Sequence, residues 1–260
     1  MTDQGYPHGT FCWADLATID LEAAKAFYAA LFGWEYADAP SPNMPYTLIT
    51  HGDGKVGGLF AQPDDMRAAG IPPCWTPYIS TEGLDAVAAR IPGLGGKVIC
   101  APFDIPDTGR MTTIADPEGA VVNLWSREAC ASGAGGLASG PGTMCWNELA
   151  TSDLDSAASF YSALFDWAVK PMRLLDHVYV EFILEGEPVG GMLPLSAAGP
   201  DLPPHWMVHF AVEDCDATVA TATAHGAQVR KGAFDVPEVG RLAILADPQG
   251  AVFAVIARAS

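Results

Sequence analysis

Between Leu21 and Phe32 apolar side chains fall at Ala24, Phe27, Tyr28 and Leu31, the i, i+3, i+4, i+7 spacing of a helix with one buried face. Asp20 before it is a capping residue type, and Gly33 after it is a type that ends helices. Upstream, Phe11–Ala17 alternates instead, with Cys12, Ala14 and Leu16 on one side and Trp13 and Asp15 on the other. That period predicts a strand whose apolar side packs on the helix. The same pattern then returns: CWADLATIDLEAAKAFYAALFGW at 12–34 is repeated as CWNELATSDLDSAASFYSALFDW at 145–167. A second pair, FDIPDTGRMTTIADPEGAVVNLW at 103–125 and FDVPEVGRLAILADPQGAVFAVI at 234–256, shows that the duplication covers both halves.

The remaining pattern is also written twice. Tyr46–Thr50 and Lys55–Ala61 read as strands around the turn HGDGK, and Tyr179–Leu184 and Pro188–Leu193 as strands around EGE. Trp75–Thr81 and Trp206–Val212 are further strands, and Leu84–Ile91 and Ala217–Ala224 further helices. Three strands follow in each half, near 97–101, 110–115 and 120–125 and near 228–232, 241–246 and 251–256. The last two of each set are joined by the turn D-P-x-G. Each half is therefore β-α-β-β-β taken twice, an α+β chain. The predicted organisation is a domain at 8–128, a Gly/Ala/Ser-rich linker at 129–140 and a domain at 141–258.

Composition narrows the partners. Of 260 residues 13 are basic and 31 acidic, a net charge of −18, which repels phosphate backbones and argues against nucleic acid. No apolar run is long enough to cross a membrane and the N-terminal stretch lacks a signal-peptide pattern, so a cytoplasmic protein is expected. The cysteines have no C-x-x-C spacing. Cys12 and Cys145, being repeat equivalents in apolar runs, are expected to be buried free thiols.

The runs D-L-x5-F-Y (Asp20 to Tyr28, Asp153 to Tyr161), the L-F-x-W that follows each, and GR-x4-A-D-P-x-G-A-V (Gly109–Val121, Gly240–Val252) resemble the vicinal oxygen chelate superfamily. That group contains glyoxalases, bleomycin-resistance proteins and ring-cleaving dioxygenases, and the chain is similar to its two-domain actinobacterial type. The resemblance implies tandem glyoxalase-like domains, each with two βαβββ units curled into a cupped, mostly antiparallel sheet that holds a ligand. It also implies, for metal-dependent members, His or Glu at four places per cup. Here those places fall on Trp13 and Trp146, Thr76 and Met207, Asn123 and Ala254, and near Gly58 and Gly191. None is His, Asp, Glu or Cys, so neither a metal nor another cofactor is expected. His205 and His209 lie too far apart along a strand to share one ion.

The faces that carry those positions read as cups lined by Trp13, Trp146, Thr76, Tyr78, Met207 and Asn123, a composition suited to a flat, largely apolar small molecule. Asp15 and Glu148 are the candidate acid–base residues, since a carboxylate beside an indole in a dry cleft can act as a general base, and His209 is the next. Each also has a structural reading, as a solvated carboxylate or a hydrogen-bonded wall residue. Arg110 and Arg241 are either ligand clamps at the rim or arginines tied to the carboxylates of their own loops, Asp104 and Asp107 or Asp235 and Glu238. The paired glycines Gly57-Gly58 and Gly190-Gly191 suggest close ligand approach or strand curvature.

Two functions fit such a cup. One is a metal-independent enzyme using proton transfer for isomerisation, ring opening or hydroxylation. The other is a protein that sequesters an antibiotic or metabolite without turnover. A metal-dependent glyoxalase or dioxygenase is disfavoured by the missing ligands. A monomer, in which the duplication supplies what a dimer would, and a homodimer both remain open.

Overall fold

The computed structural model describes residues 6–39, 44–106, 108–126, 140–199 and 202–259. The first half runs β1 (Phe11–Thr18), α1 (Leu21–Phe32), β2 (Glu35–Ala39), β3 (Tyr46–His51), β4 (Gly54–Ala61), α2 (Asp64–Ala68), β5 (Cys74–Ser80), α3 (Leu84–Arg90), β6 (Lys97–Ile105), β7 (Gly109–Ala115) and β8 (Val121–Ser126). The second runs β9 (Met144–Thr151), α4 (Leu154–Phe165), β10 (Ala168–Leu174), β11 (His177–Leu184), β12 (Glu187–Pro194), α5 (Leu195–Ala198), β13 (His205–Ala211), α6 (Cys215–Ala224), β14 (Gln228–Val236), β15 (Gly240–Ala246) and β16 (Val252–Arg258). Two eight-stranded sheets result, of order β2-β3-β4-β1-β5-β8-β7-β6 and β10-β11-β12-β9-β13-β16-β15-β14. The duplication is thus reproduced strand for strand.

Local chemistry sets the boundaries. The Asp20 carboxylate caps α1 by accepting the Ala23 N–H at 3.0 Å, and Asp153 caps α4 by accepting from Asp155 and Ser156. Gly33 ends α1 at φ 71°, whereas its copy Asp166 takes the same left-handed conformation at φ 56°. α1 buries Ala24, Phe27, Tyr28 and Phe32. Leu31, expected on that face, is only half-buried, because Phe32 stands two turns from Ala24 and takes the inner position. Strands β2 and β10 have no counterpart in the sequence reading. Both lie at sheet edges and are mostly exposed, so no apolar alternation marks them. The short helices α2 and α5, also unforeseen, bury no residue. Apart from Gly140, the linker predicted at 129–140 lies outside the described residues, as does Asp107.

The chain divides into two compact units, and neither is a contiguous half. One consists of Met1–Cys12, Pro77–Ala134 and Asn147–Trp206, the other of Trp13–Thr76, Gly135–Trp146 and Met207–Ser260. The second unit packs Ala14, Leu16, Phe27, Tyr28, Phe32, Trp34 and Trp75 from the first half against Val208, Phe210, Leu245, Phe253 and Val255 from the second. Rings interlock there: Phe32 and Phe210 lie 5.4 Å apart and Trp75 and Phe210 5.1 Å apart. In the other unit Ile79, Leu84, Ile114 and Leu124 from the first half pack with Phe160, Tyr161, Phe165, Trp167 and Trp206 from the second.

Each unit is pinned by the same hydrogen-bonded chain. Trp75 Nε1 donates to Tyr28 Oη at 2.9 Å, and that hydroxyl donates to Asp247 Oδ2 at 3.2 Å. In the other unit Trp206 donates to Tyr161 at 2.8 Å and Tyr161 to Asp116 at 3.2 Å. The second oxygen of each aspartate takes two backbone N–H groups of its D-P-x-G turn, from Gln249 and Ala251 or from Glu118 and Ala120. Burial raises both aspartates above the usual carboxylate range against these hydrogen bonds, and raises both phenols well above theirs. Two more tryptophans tie halves together: Trp34 Nε1 donates to Gly142 O at 2.7 Å and Trp167 Nε1 to Gly9 O at 2.9 Å.

Because each core is made from both halves, cutting the chain between them should not separate it. A protease site placed within 129–140 and cleaved is expected to leave two pieces that co-elute on native gel filtration. Pieces that part without denaturant would show that each half carries its own core.

Candidate functional site

On β1 the face opposite the core carries Trp13 and Asp15, as the alternation requires. Asp15 is buried at 5% exposure, while Trp13 is half-buried. Trp13 Nε1 lies 2.8 Å from Asp15 Oδ1 and 3.0 Å from Tyr46 Oη, and Tyr46 donates its hydroxyl proton to the same Asp15 oxygen at 2.6 Å. An indole, a phenol and a carboxylate thus form one closed triangle. Burial raises the Tyr46 phenol well above its usual range, the Asp15 charge adds to this, and the phenol remains a donor at neutral pH.

The triangle rests on a glycine. Asp15 is paired with Gly58 of β4. A Cβ on Gly58 would stand 1.9 Å from Tyr46 Oη and 2.8 Å from Asp15 Oδ1. The other unit repeats this: Glu148 is paired with Gly191, and a Cβ there would stand 2.2 Å from Tyr179 Oη. What comes close to these glycines is the protein's own tyrosine. Gly57 has a different reason, since its Cβ would meet the Ala14 carbonyl at 2.4 Å across the parallel pairing. Tyr46 and Tyr179 were not singled out in the sequence. The available sign was that each sits the same distance before a duplicated glycine pair.

The other predicted residues are distributed as follows. Tyr78 is paired with Asn123, its hydroxyl lies 3.9 Å from Met111 Sδ, and the Thr113 hydroxyl donates to Asn123 Oδ1 at 2.7 Å. Thr76 is half-buried with its hydroxyl 4.0 Å from Cys74 Sγ. Met207 is buried at 5% exposure and Trp146 is half-buried. His209 is buried, paired with Ala254, and held neutral by desolvation, which pushes its pKa down to about 4. Asp15 falls in one unit with Trp13, Thr76 and Trp146, and Glu148 falls in the other with Tyr78 and Asn123.

Arg110 and Arg241 hold carboxylates. Arg110 Nε and Nη2 fork onto Asp85 at 2.9 and 3.0 Å while Nη1 meets Asp104 at 2.7 Å. Arg241 does the same with Asp216 at 2.6 and 3.0 Å and Asp235 at 2.9 Å. Asp104 and Asp235 were expected partners. Asp85 and Asp216, which take the fork, sit at the starts of helices α3 and α6 and were not anticipated.

Two family models fit this chain: the glyoxalase/bleomycin resistance protein/dioxygenase superfamily over residues 10–124 and a glyoxalase-like domain over 145–256. A Mycobacterium bovis protein, CFP32, named as a suspected glyoxylase, is 40% identical over 254 residues, covering 96% of this chain and 95% of its own. The chain belongs to the glyoxalase/bleomycin resistance protein/dioxygenase superfamily. It is also 35% identical to the anthracycline biosynthesis protein DnrV of Streptomyces peucetius, over 95% of this chain and 93% of that one. The Mn(II)-bound glyoxalase of Novosphingobium aromaticivorans shares the fold, with a TM-score of 0.63 at 15% identity over 95% of this chain and 81% of that chain.

Membership of the superfamily raises the question of a metal, and the donors present do not fit one. At the positions that the resemblance assigns to ligands stand an indole whose N–H is given to Asp15 and an amide whose oxygen already accepts from Thr113. Gly58 and Gly191 offer no side chain, and the tyrosine hydroxyls fill the space where one would begin. Among the described residues no three His, Cys, Asp or Glu side chains come together as a metal site. Thiols do not substitute: burial raises Cys12 and Cys74 above the usual range, and Cys145 and Cys215 to about 11. Cys12 is buried as expected, whereas Cys145 is only half-buried.

Two outcomes follow from this geometry. Replacing Gly58 or Gly191 by alanine should displace the overlying tyrosine, seen as a change in near-ultraviolet circular dichroism with the fold retained; an unaltered spectrum would mean that the tyrosine does not rest on the glycine. His209 binds a proton less readily folded than unfolded, so its contribution to stability is complete at neutral pH. It is lost as pH falls from about 6.5 towards about 4, at a cost of up to about 3 kcal/mol. Urea titrations of wild type and His209→Gln across that window should differ in slope, and parallel curves would remove His209 from the account.

Proposed function

We propose that this protein binds a planar, largely apolar small molecule against Trp13 and Trp146 and acts on it, without a resident metal, through Asp15 and Glu148. The observation that supports this reading most directly is the Trp13–Asp15–Tyr46 triangle. It puts a buried carboxylate and a hydrogen-bond donor on the face where metal-dependent relatives would hold an ion. A name such as that of DnrV, an anthracycline biosynthesis protein, agrees with a polycyclic aromatic ligand.

The chemistry open to these groups is proton transfer. Asp15 takes a proton from an acidic C–H beside a carbonyl: that C–H bond breaks, the carboxyl O–H forms, and the electron pair stays on the ligand as an enolate. Once protonated, Asp15 no longer draws the Tyr46 proton, and the phenol can turn its O–H to the enolate oxygen. Return of the proton at a second carbon completes an isomerisation with no change of oxidation level. Sequestration without turnover is the competing reading, and the same face would serve it.

Solvent exchange separates the two. In D2O the protein should speed deuterium incorporation into 2-tetralone, an enolisable bicyclic ketone. Asp15→Asn with Glu148→Gln should slow this by about a hundredfold or more while the ketone still quenches tryptophan fluorescence. Binding with exchange no faster than in buffer would leave sequestration. Elemental analysis of protein isolated without chelators should find zinc, iron, manganese and nickel well below one per chain; a stoichiometric ion would end the metal-free reading.

A further inference from the structure

We infer that the Glu148 site takes a fused aromatic molecule with one apolar edge and, on the other edge, two hydroxyls set apart, one received by Glu148 and the second by Glu181. This rests on the binding function proposed above and adds the ligand class. It also makes the sites of the two halves unequal.

Three strand registers place Glu181. Lys170 of β10 is paired with Glu181 of β11, Glu181 with Gly191 of β12, and Gly191 with Glu148 of β9. Side chains at paired positions share a face of the sheet. Their chain neighbours Val180, Phe182, Met192 and Leu149 point the other way, into the aromatic core. Glu148 and Glu181 therefore stand on one face, on either side of a glycine whose Cβ, if present, would meet the Tyr179 hydroxyl. Lys170 Nζ holds Glu181 Oε2 at 3.1 Å and so orients the carboxylate. Glu181 is the sheltered member of that pair, its side chain 21% exposed against 68% for the lysine.

The next row on the same face is apolar. Tyr179, Leu193 and Ala150 form a cluster of their own, with Leu174 and Leu195 packed against it. A polar row and an apolar row thus run side by side across the strands. In the first half the same registers read Ala37, Leu48, Gly58 and Asp15, with leucine in the place of Glu181 and alanine in that of Lys170. Glu148 and Glu181 flank β12, so their backbones are two strand spacings, or roughly 9–10 Å, apart. That separation suits hydroxyls on different rings of a fused system better than a pair on adjacent carbons. A hydroxyl given to a carboxylate makes a charge-assisted bond, stronger than one given to a neutral acceptor.

The probes are 2,7-dihydroxynaphthalene, with one hydroxyl per ring on a shared edge, 2,3-dihydroxynaphthalene, with adjacent hydroxyls, and 2-naphthol, with one. Isothermal titration calorimetry of the wild-type chain should find the 2,7-diol bound about tenfold more tightly than either of the others, the worth of one added hydrogen bond to a charged acceptor. Glu181→Leu, which installs the residue of the first half, should remove that preference and leave 2-naphthol binding unchanged. Glu181→Gln, which keeps the shape and drops the charge, should narrow the preference and serves if the leucine variant does not fold. No preference for the 2,7-diol in the wild type, or a preference that outlives either substitution, overturns the inference and leaves aromatic binding standing. Binding of none of the three at millimolar concentration overturns the binding function, and this inference with it.

Discussion

The structure depends on a buried aspartate that cannot be left unsatisfied. Asp116 and Asp247 each sit in a tight D-P-x-G turn with almost no exposure. Two backbone N–H groups satisfy one oxygen, and the other needs a donor from elsewhere. That donor is a tyrosine from the other half of the chain, Tyr161 for Asp116 and Tyr28 for Asp247. A tryptophan N–H on the phenol oxygen completes the chain of bonds. Losing one member would leave a buried polar group unpaired, at about 1–3 kcal/mol. The two duplicated motifs are thus two halves of one interaction, and each copy finds its partner in the opposite repeat.

This has a consequence for the sites. With the aspartate–tyrosine pins and the aromatic cores on one side of the strands, the opposite faces are left to carry other chemistry. On β1 that face presents Trp13 and Asp15, and β4 can run beneath Tyr46 only because Gly58 lacks a Cβ. Near the place that the resemblance assigns to a metal ligand, the glycine leaves room for a phenol. The carboxylate is then held by an indole and a hydroxyl.

Much of this was legible in order of period. The alternation at Phe11–Ala17 placed Trp13 with Asp15 on one face, and the 3.6-residue spacing of Leu21–Phe32 marked the buried stripe, because each side chain's direction follows from its own backbone. The capping roles of Asp20 and Asp153 were equally local. The edge strands β2 and β10 were not legible, since exposed strands carry no apolar pattern. Tyr46 reads as an ordinary strand residue, and the glycine pairs as places of close ligand approach or strand curvature, because nothing in a one-dimensional pattern says that a hydroxyl thirty-one residues away lies over Asp15. Arg110 and Arg241 were half-read: their loop aspartates were visible nearby, whereas Asp85 and Asp216 come from helices 25 residues distant.

By itself the sequence determined the duplication, the αβ order of each half, the facing of the first strands and the acidic character of the chain, all of which are set by neighbours within a few residues or by a sum over them. Only the tertiary structure decided that each compact unit draws on both halves, that Trp13, Asp15 and Tyr46 close into one network, and that the recurring arginines are already occupied. These are meetings between residues distant along the chain, and their energies come from burial and hydrogen-bond completion, which exist only once the sheets have closed over them.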